Sequence, residues 1–264
     1  MRRALAGCLA LSVAAPPLGV FLVLRRMSLM SDVLQHGVLP GIAVGAAVGG
    51  LSVWAMGSGG MLAGLAVALL AGWFSRRTGL GEDSQLAALY LVALAAGVAL
   101  ISTQRGVDLT HLLFGSVLAV DNTALLAMAG AATLTLPVLA VIWRPMVLES
   151  LDPGFPSGIG GLWHGGFLAL VVLCVVAGFE ALGTLMSVGL MMLPAIAARH
   201  WAGSLAGQVT VAVALAIAAS GFGLLISFNV EIPAGPAIVL TAGGFWVISL
   251  LAGPREGLLR ARGG

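Results

Sequence analysis

Apolar runs of about 20 residues recur along this chain and constrain its fold more than any other feature. The first run is 4–24, and the others are 36–56, 60–75, 85–103, 123–143, 162–182, 184–198, 204–226 and 236–252. Only 8% of the residues are charged, against roughly 25% in soluble domains. The sequence therefore predicts an all-α polytopic membrane protein with about nine transmembrane helices, forming a single transmembrane domain over 1–264.

The basic residues, all of them arginine, fall unevenly between the connections. If successive connections alternate between the two sides, one side collects Arg25, Arg26, Arg76, Arg77, Arg144, Arg199, Arg255, Arg260 and Arg262, and the other keeps Arg2, Arg3 and Arg105. Cytoplasmic connections are enriched in basic residues. We therefore predict an external N-terminus and a cytoplasmic C-terminus.

The absence of lysine excludes two kinds of chemistry. A P-loop requires a lysine for the nucleotide phosphates, so this chain has no ATP site of that type. Schiff-base chemistry also requires a lysine amine. The motifs HExxH and GxSxG are absent as well, which argues against the common metallohydrolases and serine hydrolases.

The stretch RRMSLMSDVLQHGVLPG, residues 25–41, places two ionisable residues in apolar surroundings. A spacing of four puts Asp32 and His36 on one helix face, and both residue types bind divalent transition metals. Pro40 lacks an N–H, which predicts a kink that frees the carbonyl of residue 36. From the residues alone, a metal or proton site and a simple pair or helix cap both remain open.

Glycines recur every four residues through the second predicted span, at Gly37, Gly41, Gly45 and Gly49. Small residues at this spacing form a smooth helix face that another helix can approach closely. We therefore expect this span to lie inside the bundle.

Other polar residues are weaker candidates for an ion pathway. Glu180, near the outer end of the sixth span, either lines the pathway or reaches the membrane interface. Asp108 and His111 lie on the predicted outer side, where they either collect cations or belong to an ordinary polar loop. The connection 144–161 is the longest on the predicted inner side, and it is either a linker or a docking segment for a cytoplasmic partner.

Four blocks of sequence resemble, in order, the membrane permeases of metal-ion ABC importers. They are PLGVFLVLRRMSLMSDVLQHGVLPGIAVG, HLLFGSVLAVD, ALGTLMSVGLMMLPAIAARHW and SFNVEIPAGPAIVL. The first contains the pattern of an aspartate, three residues, a histidine and then LPG. The similarity extends over nearly the whole chain.

The resemblance implies a large-type importer fold, like that of the vitamin B12 and siderophore permeases. It implies a permease homodimer in a bacterial inner membrane, with two separate ABC ATPase subunits and an extracytoplasmic metal-binding protein, and no nucleic-acid partner. Asp32 and His36 are then expected metal contacts. The expected ATPase-docking residues are Glu149, Asp152, Gly154 and Gly158, and the expected helix kinks are at Pro40 and Pro194.

The expected function is transport of a divalent transition metal without a permanently bound cofactor. The third block is most similar to permeases for zinc, so zinc is the expected metal. A carboxylate and an imidazole also bind manganese or iron. A proton- or sodium-coupled carrier using Asp32 and Glu180 is the alternative, and an intramembrane metalloenzyme is a more distant one.

Overall fold

The computed structural model describes residues 2–28, 30–50, 52–78, 82–102, 120–151, 160–255 and 257. Within these ranges every regular element is an α-helix. The ten helices are α1 (Arg2–Leu24), α2 (Met30–Gly37), α3 (Leu39–Gly49), α4 (Val53–Thr78), α5 (Glu82–Ser102), α6 (Asn122–Leu151), α7 (Gly160–Leu182), α8 (Thr184–Arg199), α9 (Leu205–Val230) and α10 (Ala234–Ala252). Seven of them are long and apolar enough to cross a membrane, and α8 is a shorter apolar helix. The prediction of an all-α polytopic membrane protein is confirmed.

The second predicted span, 36–56, differs from a single helix. The end of α2, the whole of α3 and the beginning of α4 take its place, and the boundary between α2 and α3 lies at Val38. Pro40 occupies the first turn of α3, the helical position where a missing N–H costs nothing. Gly50, with a φ of 67°, follows the last residue of α3. The helical run is therefore divided between α2 and α3, within two residues of His36.

The predicted close packing of the glycine face is confirmed. Gly41 and Gly59 lie face to face where α3 crosses α4, so a Cβ on either one would collide with the other's carbonyl oxygen. One turn further along α3, a Cβ on Gly45 would collide with the carbonyl oxygen of Ala55. The absence of side chains here lets the two backbones touch.

The helix α1 forms the centre of the bundle and packs against α6, α7, α8 and α9. Its residues Leu18, Phe21 and Leu22 are fully buried. On the other side of the bundle, α3, α4 and α5 pack together. The short helix α2 contacts α4, α5, α7 and α8, so it lies at the junction between the two groups of helices.

Asp121 precedes the first residue of α6 and caps the helix. The backbone N–H of Ala124 donates to Asp121 Oδ1 at 2.7 Å, and the Thr123 hydroxyl donates to Oδ2. These hydrogen bonds, led by that from Thr123, lower the pKa of the Asp121 carboxyl. The carboxylate is therefore ionised at neutral pH, as a helix N-terminus favours.

Arginines from distant parts of the sequence meet at one end of the bundle. Arg25, in the turn after α1, contacts Glu149 at the end of α6. At the same end, Arg26, Arg199 and Arg255 line a cavity of about 530 Å³. All four were assigned from the sequence to the cytoplasmic side, and their clustering is the arrangement that this assignment requires.

We expect the C-terminus to be cytoplasmic. A phosphatase or fluorescent reporter fused after Arg262 should show cytoplasmic behaviour, because the arginine-rich end of the bundle belongs on that side. The same reporter placed between Gly50 and Ser52 should show an external location, since α2 and α3 together lead away from the arginine-rich end. An external signal from the fusion after Arg262 would contradict this topology.

Candidate functional site

Asp32 and His36 share one face of α2, as their spacing predicts. Their nearest polar atoms, Asp32 Oδ1 and His36 Nε2, are 3.8 Å apart. This separation is too long for a hydrogen bond. Asp32 Oδ1 and His36 Nε2 are therefore not bonded to each other, and both can bind a ligand. The Asp32 side chain is 55% exposed and that of His36 is 22% exposed. Together they offer an oxygen and a nitrogen ligand on the open side of the helix.

The pair lies well inside the bundle rather than at its arginine-rich end. The His36 ring is 5.5 Å from that of Tyr90, centroid to centroid. Tyr90 is about 12 Å along α5 from its beginning at Glu82 and about 18 Å from its end, at a rise of 1.5 Å per residue. The chain reaches this depth because α1 ends at Leu24 and α2 turns back into the bundle.

Polar atoms on α2 lack hydrogen-bond partners within the described part of the chain. They are Ser31 Oγ, Gln35 Oε1 and His36 Nδ1, all of them buried. Ser31 and Gln35 are themselves fully buried and four residues apart, so they share a second face of the helix. Buried polar groups normally have partners, which makes α2 unusual on two faces. The sequence analysis missed Ser31 and Gln35, although the same spacing that identified Asp32 and His36 would have found them.

Within the described residues, no group of three or more His, Cys, Asp or Glu side chains is close enough to hold a metal. Structural zinc sites usually take four protein ligands and catalytic ones three. Two side chains, with water or carbonyl oxygens beside them, suit an ion that binds and leaves again. Among the described residues, Asp32 and His36 thus offer two ligands from one helix face.

The other predicted site residues fall in different places. Asp108, His111, Asp152, Gly154 and Gly158 lie outside the described residues. Glu180 belongs to the last turn of α7, and its side chain is not described either. Pro194 lies inside α8, which continues to Arg199 without the interruption seen next to Pro40.

Glu149 is the one predicted docking residue whose side chain the structure describes. It lies in the last turn of α6, and its Oε1 is 2.6 Å from Nη2 of Arg25. Glu149 is thus engaged within the chain, next to the segment predicted to meet a partner.

The family model for the ABC 3 transport family matches residues 1–253. A manganese import system permease protein, ScaB, from Streptococcus parasanguinis is 30% identical over 260 residues, which cover 97% of this chain and 91% of that protein. The chelated iron transport system membrane protein YfeD of Yersinia pestis is 29% identical, with 95% of this chain and 84% of that protein covered.

Two solved structures are similar to the chain. PsaBC from Streptococcus pneumoniae, solved in complex with Fab, matches with a TM-score of 0.85 and 28% identity, over 99% of this chain and 94% of that one. An inward-facing metal-chelate type ABC transporter matches with a TM-score of 0.69 and 19% identity, over 94% and 84% of the two chains. The second likeness concerns the fold alone.

Proposed function

The chain belongs to the ABC 3 transport family, and we propose that it is the permease through which an ATP-driven importer moves manganese across a bacterial inner membrane. The resemblance found in the sequence blocks is thereby confirmed. As a multi-pass permease of a metal ABC importer, the chain is a transport subunit, and family membership argues against the proton- or sodium-coupled carrier and the intramembrane metalloenzyme.

The observation that carries the proposal is the pair formed by Asp32 and His36. A carboxylate and an imidazole lie one turn apart, about 12 Å along the neighbouring helix α5, on a face that the described part of the chain leaves open. Ionisable residues inside a membrane bundle are costly and mark ion pathways. We propose that the passing metal exchanges part of its hydration shell for these two side chains.

Manganese is the proposed cargo because of the ligand chemistry and the relatives. Carboxylate and imidazole without thiolate suit manganese and iron as well as zinc. The two relatives compared above are named for manganese and for chelated iron. The expectation of zinc came from the similarity of one sequence block to permeases for zinc, and these two relatives do not support it.

The proposed assembly contains two permeases, two ATPase subunits and an external metal-binding protein, in the large-type arrangement. The missing lysine agrees with a motor on another chain. Asp32 is more than half exposed in the single chain, which suits a pathway completed by the second permease. The docking segment for the ATPase is proposed at 144–161, which begins in the last two turns of α6.

Metal accumulation in vesicles tests this function. We expect vesicles containing the permease, its ATPase and its binding protein to accumulate manganese only when ATP is present, with zinc accumulating less, because the relatives compared above are named for manganese and chelated iron. Metal content after filtration is the measurement. Accumulation driven by a proton gradient without ATP would contradict the proposal, and preferential zinc uptake would contradict the choice of cargo.

A further inference from the structure

A second group of charged residues lies outside the pair on α2, at the arginine-rich end of the bundle. Arg25 Nη2 is 2.6 Å from Glu149 Oε1, and Arg25 Nη1 is 2.9 Å from His164 Nδ1. Arg25 belongs to the turn between α1 and α2, Glu149 to the last turn of α6, and His164 to the beginning of α7. One guanidinium therefore joins three separate parts of the chain.

Aromatic side chains pack beside this charged group. Phe21 of α1 packs edge-to-face on Trp143 of α6 at 5.1 Å and on Phe167 of α7 at 6.1 Å, between ring centroids. The guanidinium of Arg25 lies 5.9 Å from the centroid of Phe167. The Arg25 side chain is only 10% exposed, so its ion pair is screened less than a surface pair. The ends of α1, α6 and α7 are thereby held as one unit.

The backbone connects this unit directly to α2. In the turn, the N–H of Met27 donates to the carbonyl of Leu22 at 2.9 Å, and the N–H of Met30 donates to that of Met27 at 3.0 Å. Arg26 adopts a φ of 60°, a left-handed conformation that is uncommon for residues other than glycine. The turn is thus tightly defined, and Asp32 follows Arg25 by only seven residues.

We propose that Arg25 is a positioning residue which, through Glu149 and His164, ties the end of α6 to α2 and so transmits movement of the ATPase-docking end to Asp32 and His36. The inference rests on the proposed function, because it assumes that an ATPase docks beside the end of α6. Glu149 then acts as an internal partner of Arg25 rather than as a direct contact with the ATPase.

The geometry favours arginine over any other cation at this position. Two different nitrogens of the guanidinium reach Glu149 and His164 at the same time. A lysine ammonium is a single point charge and does not reproduce a forked contact of this kind. Arg25→Lys therefore keeps the charge while weakening the connection, which separates a coupling role from a purely electrostatic one.

The ratio of metal transported to ATP hydrolysed tests the proposal in the complete reconstituted transporter. For Glu149→Gln and for Arg25→Lys we expect hydrolysis to continue while the ratio falls at least about fivefold, the lower end of typical coupling between sites. Arg3→Lys is the matched control, since it makes the same change at an exposed arginine of the opposite end of α1, and its ratio should equal that of the wild type. The exchange Arg25→Glu with Glu149→Arg should restore part of the ratio.

Two outcomes overturn the role of Arg25. One is an unchanged ratio of metal transported to ATP hydrolysed in both single variants. The ratio is also unchanged if uptake and hydrolysis fall in equal proportion because less transporter assembles, and this result counts against the role as well. The other is an equal fall in the Arg3→Lys control. The wild type separates this inference from the proposed function: wild-type vesicles without ATP-dependent metal uptake contradict the function, whereas normal wild-type uptake with unchanged variant ratios contradicts only the coupling.

Discussion

Metal uptake should fall at least about tenfold when Asp32 or His36 is replaced by alanine, because loss of even an outer-shell partner of a metal site typically costs about 10–100-fold. Each replacement removes one of the two side-chain ligands that the described structure places on the open face of α2. The measurement is ATP-dependent metal accumulation in vesicles, together with the amount of permease that copurifies with its ATPase. We expect the amount of copurified permease to stay at the wild-type level, since neither side chain is fully buried.

A matched control for this result is Glu231→Gln. Glu231 is an exposed carboxylate that caps the end of α9, far along the sequence from α2, and its neutralisation should leave uptake unchanged. Normal uptake by both α2 variants would remove the site assignment. A fall in uptake that tracked a loss of ATPase binding would assign Asp32 and His36 to assembly instead.

Folding should be impaired strongly by Gly41→Ala, although the change adds only one methyl group. Its Cβ would collide with the carbonyl oxygen of Gly59 and lie 2.6 Å from the Cβ of Ala63. Backbone atoms cannot rotate away as a side chain does, so α3 and α4 must separate. We expect a destabilisation at the upper end of the range of about 1–3 kcal/mol typical of overpacking. Thermal unfolding in detergent, followed by size-exclusion chromatography, measures it.

Gly130→Ala is the control for this substitution. Gly130 lies inside α6, and an added Cβ there meets nothing within 4 Å. Alanine favours a helix interior over glycine by roughly 0.5–1 kcal/mol, so this variant should be as stable as the wild type or slightly more stable. Equal thermal stability of the Gly41 and Gly130 variants would show that the close approach of α3 and α4 is not required.

The local features of the site were predictable because they depend on residues close in sequence. The shared face of Asp32 and His36 follows from helical periodicity. The interruption beside His36 follows from the missing N–H of Pro40, and the contact between α3 and α4 follows from glycines at every fourth position. The position of the interruption at Val38, and the beginning of α2 at Met30, six residues before the predicted span, required the structure.

The depth of Asp32 and His36 in the bundle does not follow from the sequence. Arg25 and Arg26 place the preceding turn at the inner side, and seven residues further on the chain reaches Asp32. Sequence distance does not say whether those residues run along the surface or turn back into the bundle. In the structure these residues turn back into the bundle, because Met30 and Leu34 of α2 are buried between other helices.

The sequence by itself determined the class of the protein, its apolar runs, its family and the two residues proposed to touch the metal, because hydropathy, helical spacing and motif order are local properties of the chain. Only the tertiary structure decided the depth of the α2 pair, the buried unpartnered oxygens of Ser31 and Gln35, and the contact of Arg25 with Glu149. These features depend on which helices lie side by side. That choice is made by the packing of the whole bundle, in which residues 124 positions apart in sequence become neighbours.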